Sequence, residues 1–449
     1  SRQEPGIEVT RMAANPPNQQ HVPVQRPESS RIDWSRRTLL QIGLATGGAA
    51  GAGLLGATAA LAESQGSNLP PHTPSWSKEL GVGVGAPYGQ PSRFESEVMR
   101  RDIDWLFPDE RASVNFTPLQ DLHGIVTPNG LHFARHHAGV PDINPDEHRL
   151  LIHGLVQRPL LFTMDELMRF PSVSRIHFIE CSGNGTLEWT QAVMPTVQFT
   201  HGMIGCSEWT GVRLSTLLDE VGVDRQARWI LAESADAAGL ARSIPMAKAL
   251  DDAMVVYAQN GERIRPEQGY PLRLLCPGFE GNANVKWLRR LEVGTRPWMT
   301  REETSRYTDL MPDGSARQFT FVNEAKSVIT FPSGGQQLRE RGSYEIRGLA
   351  WSGRGKVKRV DVSVDGGNNW ETAKLQQPVL SKCLTSFRMT WTWQGEPLLL
   401  QSRVIDESGY VQPTIRQLRK VRGTRSTYHN NAIQTWKLDV EGKVSNVQI

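Results

Sequence analysis

One cysteine stands where its side chain could do chemistry: Cys181, in the run Phe178-Ile179-Glu180-Cys181-Ser182-Gly183-Asn184-Gly185. A thiol closing a hydrophobic run is most often a small buried hydrophobe. Here the residues that follow make a tight turn, whose glycines let backbone approach a bulky group. A strand feeding such a turn delivers sulfur to a loop edge, and a soft thiolate there suits a soft, redox-active metal. The other three cysteines, at 206, 276 and 383, form no Cys-x-x-Cys spacing. That excludes a thioredoxin-like dithiol and a covalent c-type haem. Burial is the expectation for these three, with a disulfide between two of them open in an oxidising compartment.

Two further clusters hold polar chemistry. In Phe133-Ala134-Arg135-His136-His137, adjacent histidines on a strand face opposite ways and do not chelate together. Arg135 and His137 share one face, where the planar Arg fork could grip an oxyanion; a plain surface strand end accounts for the pattern equally well. The run Gln268-Gly269-Tyr270-Pro271-Leu272-Arg273, followed by residues 277–287, places glycines around basic residues that could cradle phosphate through backbone N–H groups. It matches neither the Walker nor the dinucleotide fingerprint.

The elements that must position these clusters fall into four segments. Residues 35–41 read Ser-Arg-Arg-Thr-Leu-Leu-Gln, then a Gly/Ala-rich apolar stretch ends Ala60-Leu61-Ala62. This order is that of a twin-arginine export signal with its cleavage site, so residues 1–62 are expected to be an unstructured leader and signal, and the mature chain periplasmic with no membrane span. Export in the folded state hints at a cofactor inserted beforehand. Residues 63–115, rich in Pro, Gly and Trp, are expected to be an extended arm. From 116 to 320 short strands (150–155, 175–179) alternate with helical pieces (163–168, 213–218, 246–250), the first with Thr163 as N-cap and Glu166 three residues on. After 320 strict alternation and a Gly-rich turn, as in Val360-Asp361-Val362-Ser363-Val364-Asp365-Gly366-Gly367, predict an immunoglobulin-like β-sandwich carrying a subunit interface. The fold class is thus α+β. With 449 residues, 38% hydrophobic and 22% charged, and a net charge of +3, the chain is an ordinary globular protein and a poor nucleic-acid binder.

Taken in order, these motifs resemble the sulfite oxidase family of molybdopterin enzymes. Phe133/Arg135/His137, Cys181/Gly183/Asn184, Ser243-Ile244-Pro245, Gly269-Tyr270-Pro271-Leu272-Arg273 and Val285-Lys286-Trp287 carry the likeness over about residues 115–449, with Val-Asp-Gly-Gly before a Trp in the sandwich. The resemblance implies a molybdenum–molybdopterin cofactor with Cys181 as metal ligand. It implies that Phe133, Ala134, Arg135, His136, His137, Asp236, Gln268, Arg273, Asn284, Val285 and Lys286 hold the pterin and its phosphate. Arg135 and Tyr307 would line the substrate pocket, and the sandwich would form a homodimer. Gln268 stands where animal members have histidine, and Tyr307 differs from them in its spacing.

The resemblance further implies oxygen transfer to a sulfur lone pair, with electrons leaving through a c-type cytochrome subunit because this chain has no haem motif. Animal sulfite oxidases follow Cys-x-Gly-Asn with two arginines, whereas Gly185 and Thr186 stand here. Loss of that charge disfavours a small dianion, since buried oxyanions need paired donors. A roomier entrance fits sulfane sulfur on a carrier protein, as in the molybdenum subunits of Sox-pathway sulfane dehydrogenases. A periplasmic sulfite dehydrogenase, a reductase of oxidised methionine, and an exported binding protein with an inactive cofactor domain are the competing expectations.

Overall fold

Four of the nine residues in Ser-Val-Ser-Arg-Ile-His-Phe-Ile-Glu are apolar, and residues Ser172–Glu180 form a strand whose last three side chains are buried. In this computed structural model the described residues are 74, 80, 90–103, 105–106 and 109–449. The leader and signal expected over 1–62 lie outside them, as does residues 63–89 of the expected arm apart from Pro74 and Leu80. Residues Gln90–Ile449 form one compact unit.

The strand Ser172–Glu180 pairs antiparallel with Ile204–Arg213, from Ser172 opposite Val212 to Glu180 opposite Ile204. Met254–Gln259 continues that sheet and is itself flanked by Glu262–Arg263 and Arg273–Leu275. A second sheet runs Leu160–Thr163, Arg149–Gly154, Leu288–Gly294, Trp229–Ser234, Ala241–Pro245. Its Arg149–Gly154 and Leu288–Gly294 strands are parallel, and the other pairs are antiparallel. The helices Met164–Arg169, Leu214–Val221 and Met246–Asp251 bury Leu167, Leu217, Leu218 and Ala249 against Leu150, Ile230, Val255 and Leu291 of the two sheets. Thr163 and Glu166 close a reciprocal capping box, as the residue types predict. This first part is the expected mixed α/β arrangement.

Past residue 320 the chain is a sandwich. One sheet has Lys326–Phe331, Gly342–Trp351, Thr385–Trp393 and Lys374–Leu375; the other has Glu371–Thr372, Val357–Ser363, Leu398–Asp406, Thr435–Leu438 and Val444–Val447. The α+β expectation describes the chain well. The sandwich is more than an appended interface, however. One apolar cluster joins Leu119, Phe178, Val197, Ile204 and Cys206 of the first part to Val328, Trp351, Leu384 and Phe387 of the sandwich.

The same seam holds the residue before Cys181. Glu180 is 5% exposed, and burying a carboxylate is costly unless donors satisfy it. It accepts from Asn184 Nδ2 (2.9 Å), Lys326 Nζ (3.2 Å) and Trp351 Nε1 (2.7 Å), the last two belonging to the sandwich. Lys326 also donates to Asn184 O at 3.0 Å, which fixes the turn after the cysteine. Removing one partner of such a pair leaves an uncompensated buried charge, at a cost of about 3–5 kcal/mol. Lys326→Met is therefore expected to lower the unfolding free energy by about 3–5 kcal/mol, and the urea midpoint with it. The double variant Lys326→Met/Glu180→Gln should recover part of the loss. An unchanged midpoint for the single variant would show that this pair does not brace the fold.

Candidate active site

Cys181 stands on the last turn out of the strand Ser172–Glu180, with its N–H donating to Met203 O at 2.9 Å and its carbonyl accepting from Asn184 N at 2.9 Å. Beneath it runs the segment Gly281–Ala283; a Cβ on Gly281 would stand 3.0 Å from Glu180 O and 3.3 Å from the Cys181 Cα, so no larger residue fits without displacing the cysteine. The sulfur faces a cleft of about 700 Å³. All the candidate residues line it: Phe133, Ala134, Arg135, His136, His137, Cys181, Asp236, Gln268, Arg273, Asn284, Val285, Lys286 and Tyr307. His132, Ser234 and Leu240, which the sequence did not single out, line it too.

Charge in this cleft is unbalanced. Among the described lining residues Asp236 is the one carboxylate, against Arg135, Arg273 and Lys286. Arg273 donates to Gln268 O (2.8 Å) and Asn284 O (3.0 Å) and lies 5.0 Å over the Trp209 ring. Burial pushes its pKa down to about 9, so it stays cationic at neutral pH. Its Nε is buried without a partner among the described residues. Lys286 Nζ meets three acceptors, Arg135 O (3.0 Å), Glu267 O (3.0 Å) and His136 Nδ1 (3.1 Å), so what it adds to the cleft is charge. Burial, then the nearby Arg273, pulls its pKa well down. A polyanion in the cleft would relieve the repulsion among these cations, and the donor set fits a phosphate-bearing cofactor.

Other groups here are neutral. Burial pushes His132 and His136 down to about 3 and His137 to about 4, each with neighbouring cations adding to the effect. Gln268 Nε2 donates to Phe133 O (2.8 Å) and so ties the wall carrying Arg135 to the wall carrying Arg273. The Asn284 amide is taken up within its own loop, accepting from Cys276 N (2.7 Å) and donating to Glu280 O (3.0 Å) and Phe279 O (3.2 Å). Its side chain shapes the loop and leaves only backbone to the cleft. Burial also raises the Cys181 thiol, partly offset by the Gly183 N–H and by Arg135. A bound cation would deprotonate it outright.

At the mouth, Tyr307 (φ +51°) turns its hydroxyl to within 3.2 Å of His137 Nε2. The buried Arg242 guanidinium lies 5.4 Å from the Tyr307 ring centroid, and Tyr428 packs at 5.2 Å on it. Arg135 NH1 donates to Ala112 O at 3.0 Å and to the neighbouring His136 carbonyl. The expectation for Gly185 and Thr186 fails here. They do not line the cleft: Gly185 (φ +90°) accepts from Asn430 Nδ2 at 3.0 Å and Thr186 Oγ1 donates to Thr427 O at 2.6 Å. Arg301, ion-paired with Glu302, and Arg306 lie close enough to help lower His137. The physical reason is that the turn after Cys181 docks against the C-terminal segment rather than opening to substrate.

Sequence reasoning also missed a buried network under the cleft. Arg242 donates to Glu303 (2.9 Å) and Glu280 (3.3 Å); His429 lies between Glu280 (2.8 Å) and Asp309 (3.0 Å); Asp309 also accepts from Arg422 (2.7 Å). Both His429 nitrogens face carboxylates, which only accept, so the ring carries two protons. The His429 backbone N–H donates to Ser182 O at 2.8 Å, next to the cysteine. These residues come from segments far apart in the chain, and no local pattern marks them.

The profile described as "Oxidoreductase molybdopterin binding domain" matches residues 137–302, and that described as "Mo-co oxidoreductase dimerisation domain" matches residues 317–436. Human mitochondrial sulfite oxidase is 30% identical over 67% of this chain and 60% of its own length. A tobacco (Nicotiana tabacum) NADH nitrate reductase is 33% identical over 62% of this chain and 34% of its own. The chain thus spans less than two thirds of these curated relatives. The crystal structure of the sulfane dehydrogenase SoxCD from Paracoccus pantotrophus superposes with a TM-score of 0.83 at 49% identity, covering 84% of this chain and 98% of that one.

For His429, burial opposes the charge, but Glu280 and Asp309 outweigh it and raise the pKa above 6.5. A raised folded value means stability present in full below the unfolded pKa and lost as pH rises through the folded one. His429→Gln is expected to cost most near about pH 6, with the gap in melting temperature to the parent narrowing towards about pH 9. A gap that widens with pH would show a neutral ring.

Proposed function

We propose, from the premise that this chain belongs to the sulfite oxidase family of molybdopterin oxidoreductases, that it oxidises reduced sulfur carried on a partner protein, at a molybdenum held by Cys181. The observation that carries this reading is a thiol and a net-cationic wall facing one cleft, in a chain 49% identical to a sulfane dehydrogenase over 98% of the latter. Molybdopterin with its metal, when bound, supplies two-electron oxygen-atom transfer. Cys181 would ligate the metal as thiolate. Arg273 and Lys286 would meet the anionic end of the pterin by charge, with Asp236 accepting from its ring N–H groups and Gln268 fixing the walls. Phe133, Ala134, His136, Asn284 and Val285 would shape the pterin slot, largely through backbone and apolar surface.

Arg135 would stabilise charge developing on the transferred oxygen, a role typically worth about 10²–10³ in rate for a single donor. Tyr307 and His137, hydrogen-bonded to each other, would hold product or water at the mouth. In this reading residues 116–320 are the cofactor-binding part and 321–449 the dimerisation part. Electrons would leave to a c-type cytochrome subunit, and the twin-arginine leader would place the enzyme in the periplasm. Among the described residues no helix is long and apolar enough to cross a membrane.

A second reading, oxidation of free sulfite, is favoured by one observation: Arg135, Arg301 and Arg306 gather around His137, a setting suited to a small dianion.

Steady-state turnover separates the two. Carrier-bound sulfane sulfur is expected to give a kcat/KM at least tenfold above that of sulfite, with cytochrome c as acceptor; the reverse preference would select sulfite. Cys181→Ser is expected to leave the fold intact but strip molybdenum, read by metal analysis. Arg135→Met should lower kcat/KM about 10²-fold with molybdenum retained. Full metal content in Cys181→Ser would remove that residue from the ligand position.

A further inference from the structure

Cys206 and Cys383, 177 positions apart, meet where the first part of the chain packs on the sandwich. Cys206 lies in the strand Ile204–Arg213, opposite Phe178. Cys383 lies just before the strand Thr385–Trp393. The preceding Lys382 docks that turn on the first part, its carbonyl accepting from Phe178 N at 3.3 Å and meeting His177 Nδ1 at 3.2 Å. The two sulfurs stand 3.3 Å apart, both are thiols, and both are buried in the apolar cluster shared by the two parts. Cys276 is buried elsewhere, in the core between the two sheets, and Cys181 faces the cleft.

We propose that Cys206 and Cys383 are a disulfide-forming pair, a covalent cross-link between the part that carries Cys181 and the sandwich that braces it. A disulfide needs its sulfurs about 2.05 Å apart, so closing the bond asks for an approach of about 1.3 Å, within reach of small side-chain rotations on two docked segments. The chemistry is an exchange with a disulfide-bearing oxidant. One thiolate attacks a sulfur of the oxidant, whose S–S bond breaks and releases one thiol. The second cysteine then displaces the other half of the oxidant as a second thiol. Two thiol protons and two electrons leave the pair, the oxidant is reduced to two thiols, and the Sγ–Sγ bond forms. Neither sulfur is exposed, so the exchange waits on opening of the shared interface. Burial and the neighbouring thiol also hold the Cys206 proton tightly, which slows attack further. The cross-link ties down the seam on which the Glu180 donors and the Thr186, Gly185 and Ser182 contacts depend. It closes a loop of 177 residues, long enough for the lost freedom of the unfolded chain to be substantial.

The test uses the full-length, fully reduced holoenzyme incubated with oxidised glutathione, with and without urea below the unfolding transition. Samples are quenched by alkylation under denaturing conditions. The expected product is two hydrogen masses lighter than the reduced chain, and its unreduced peptide map joins the Cys206 peptide to the Cys383 peptide. Urea should speed its formation several-fold, and the cross-linked protein should melt several degrees higher than the reduced one. Cys276→Ser should leave the link intact. Complete alkylation of Cys206 and Cys383 after oxidant and urea would overturn the proposal, as would stable glutathione adducts on either cysteine or links to Cys181 or Cys276 in its place.

Discussion

A carboxylate buried one residue ahead of the Cys181 sulfur sets the terms for this molecule. Glu180 cannot remain inside the protein without donors, and among the described residues the first part of the chain offers its side chain only Asn184. Lys326 and Trp351 complete it from the sandwich, and Lys326 goes on to hold Asn184 itself. The geometry of the turn that presents Cys181 is therefore decided by a domain whose residues begin more than a hundred positions later. His429, Asn430 and Thr427 take hold of Ser182, Gly185 and Thr186 in the same way. Each contact is a hydrogen bond of ordinary strength, but together they leave the cysteine loop few ways to move.

Two charge patterns lie on either side of that loop, and they differ in kind. Beneath it, Arg242, His429 and Arg422 alternate with Glu303, Glu280 and Asp309, so opposite charges neutralise each other at hydrogen-bonding distance. Such a network is satisfied internally and rigid, and it holds the underside of Tyr307 through the Arg242 guanidinium. In front of the loop, Arg135, Arg273 and Lys286 line the cleft with Asp236 as the one carboxylate among the described lining residues. That wall carries net positive charge and suits an anion. The contrast separates scaffold from site without appeal to any relative, and the family to which the chain belongs says what the anion is.

Much of the site was legible from residue types and order. The apolar run before Cys181, the capping box at Thr163 and Glu166, and the Gly-rich turn after Val364 are local features, set by residue type and backbone preference. Gly281 and Gly185 also sit where a close approach or a left-handed backbone demands them. The entrance was misread because Gly185 and Thr186 were judged by what they lack rather than by what covers them. Asn284 lines the cleft, and its side-chain amide is hydrogen-bonded within its own loop.

Sequence alone therefore determined the α+β class, the sulfur at Cys181 and the residues that gather round it, because motifs keep their chemistry and periodicity keeps its face wherever the chain goes. Tertiary structure decided which groups satisfy Glu180, why His429 sits between two carboxylates, which segment covers the turn after Cys181, and that Cys206 meets Cys383. Those depend on contacts between segments separated by tens to hundreds of residues. Burial and charge compensation act through space, and neither leaves a local trace in the order of amino acids.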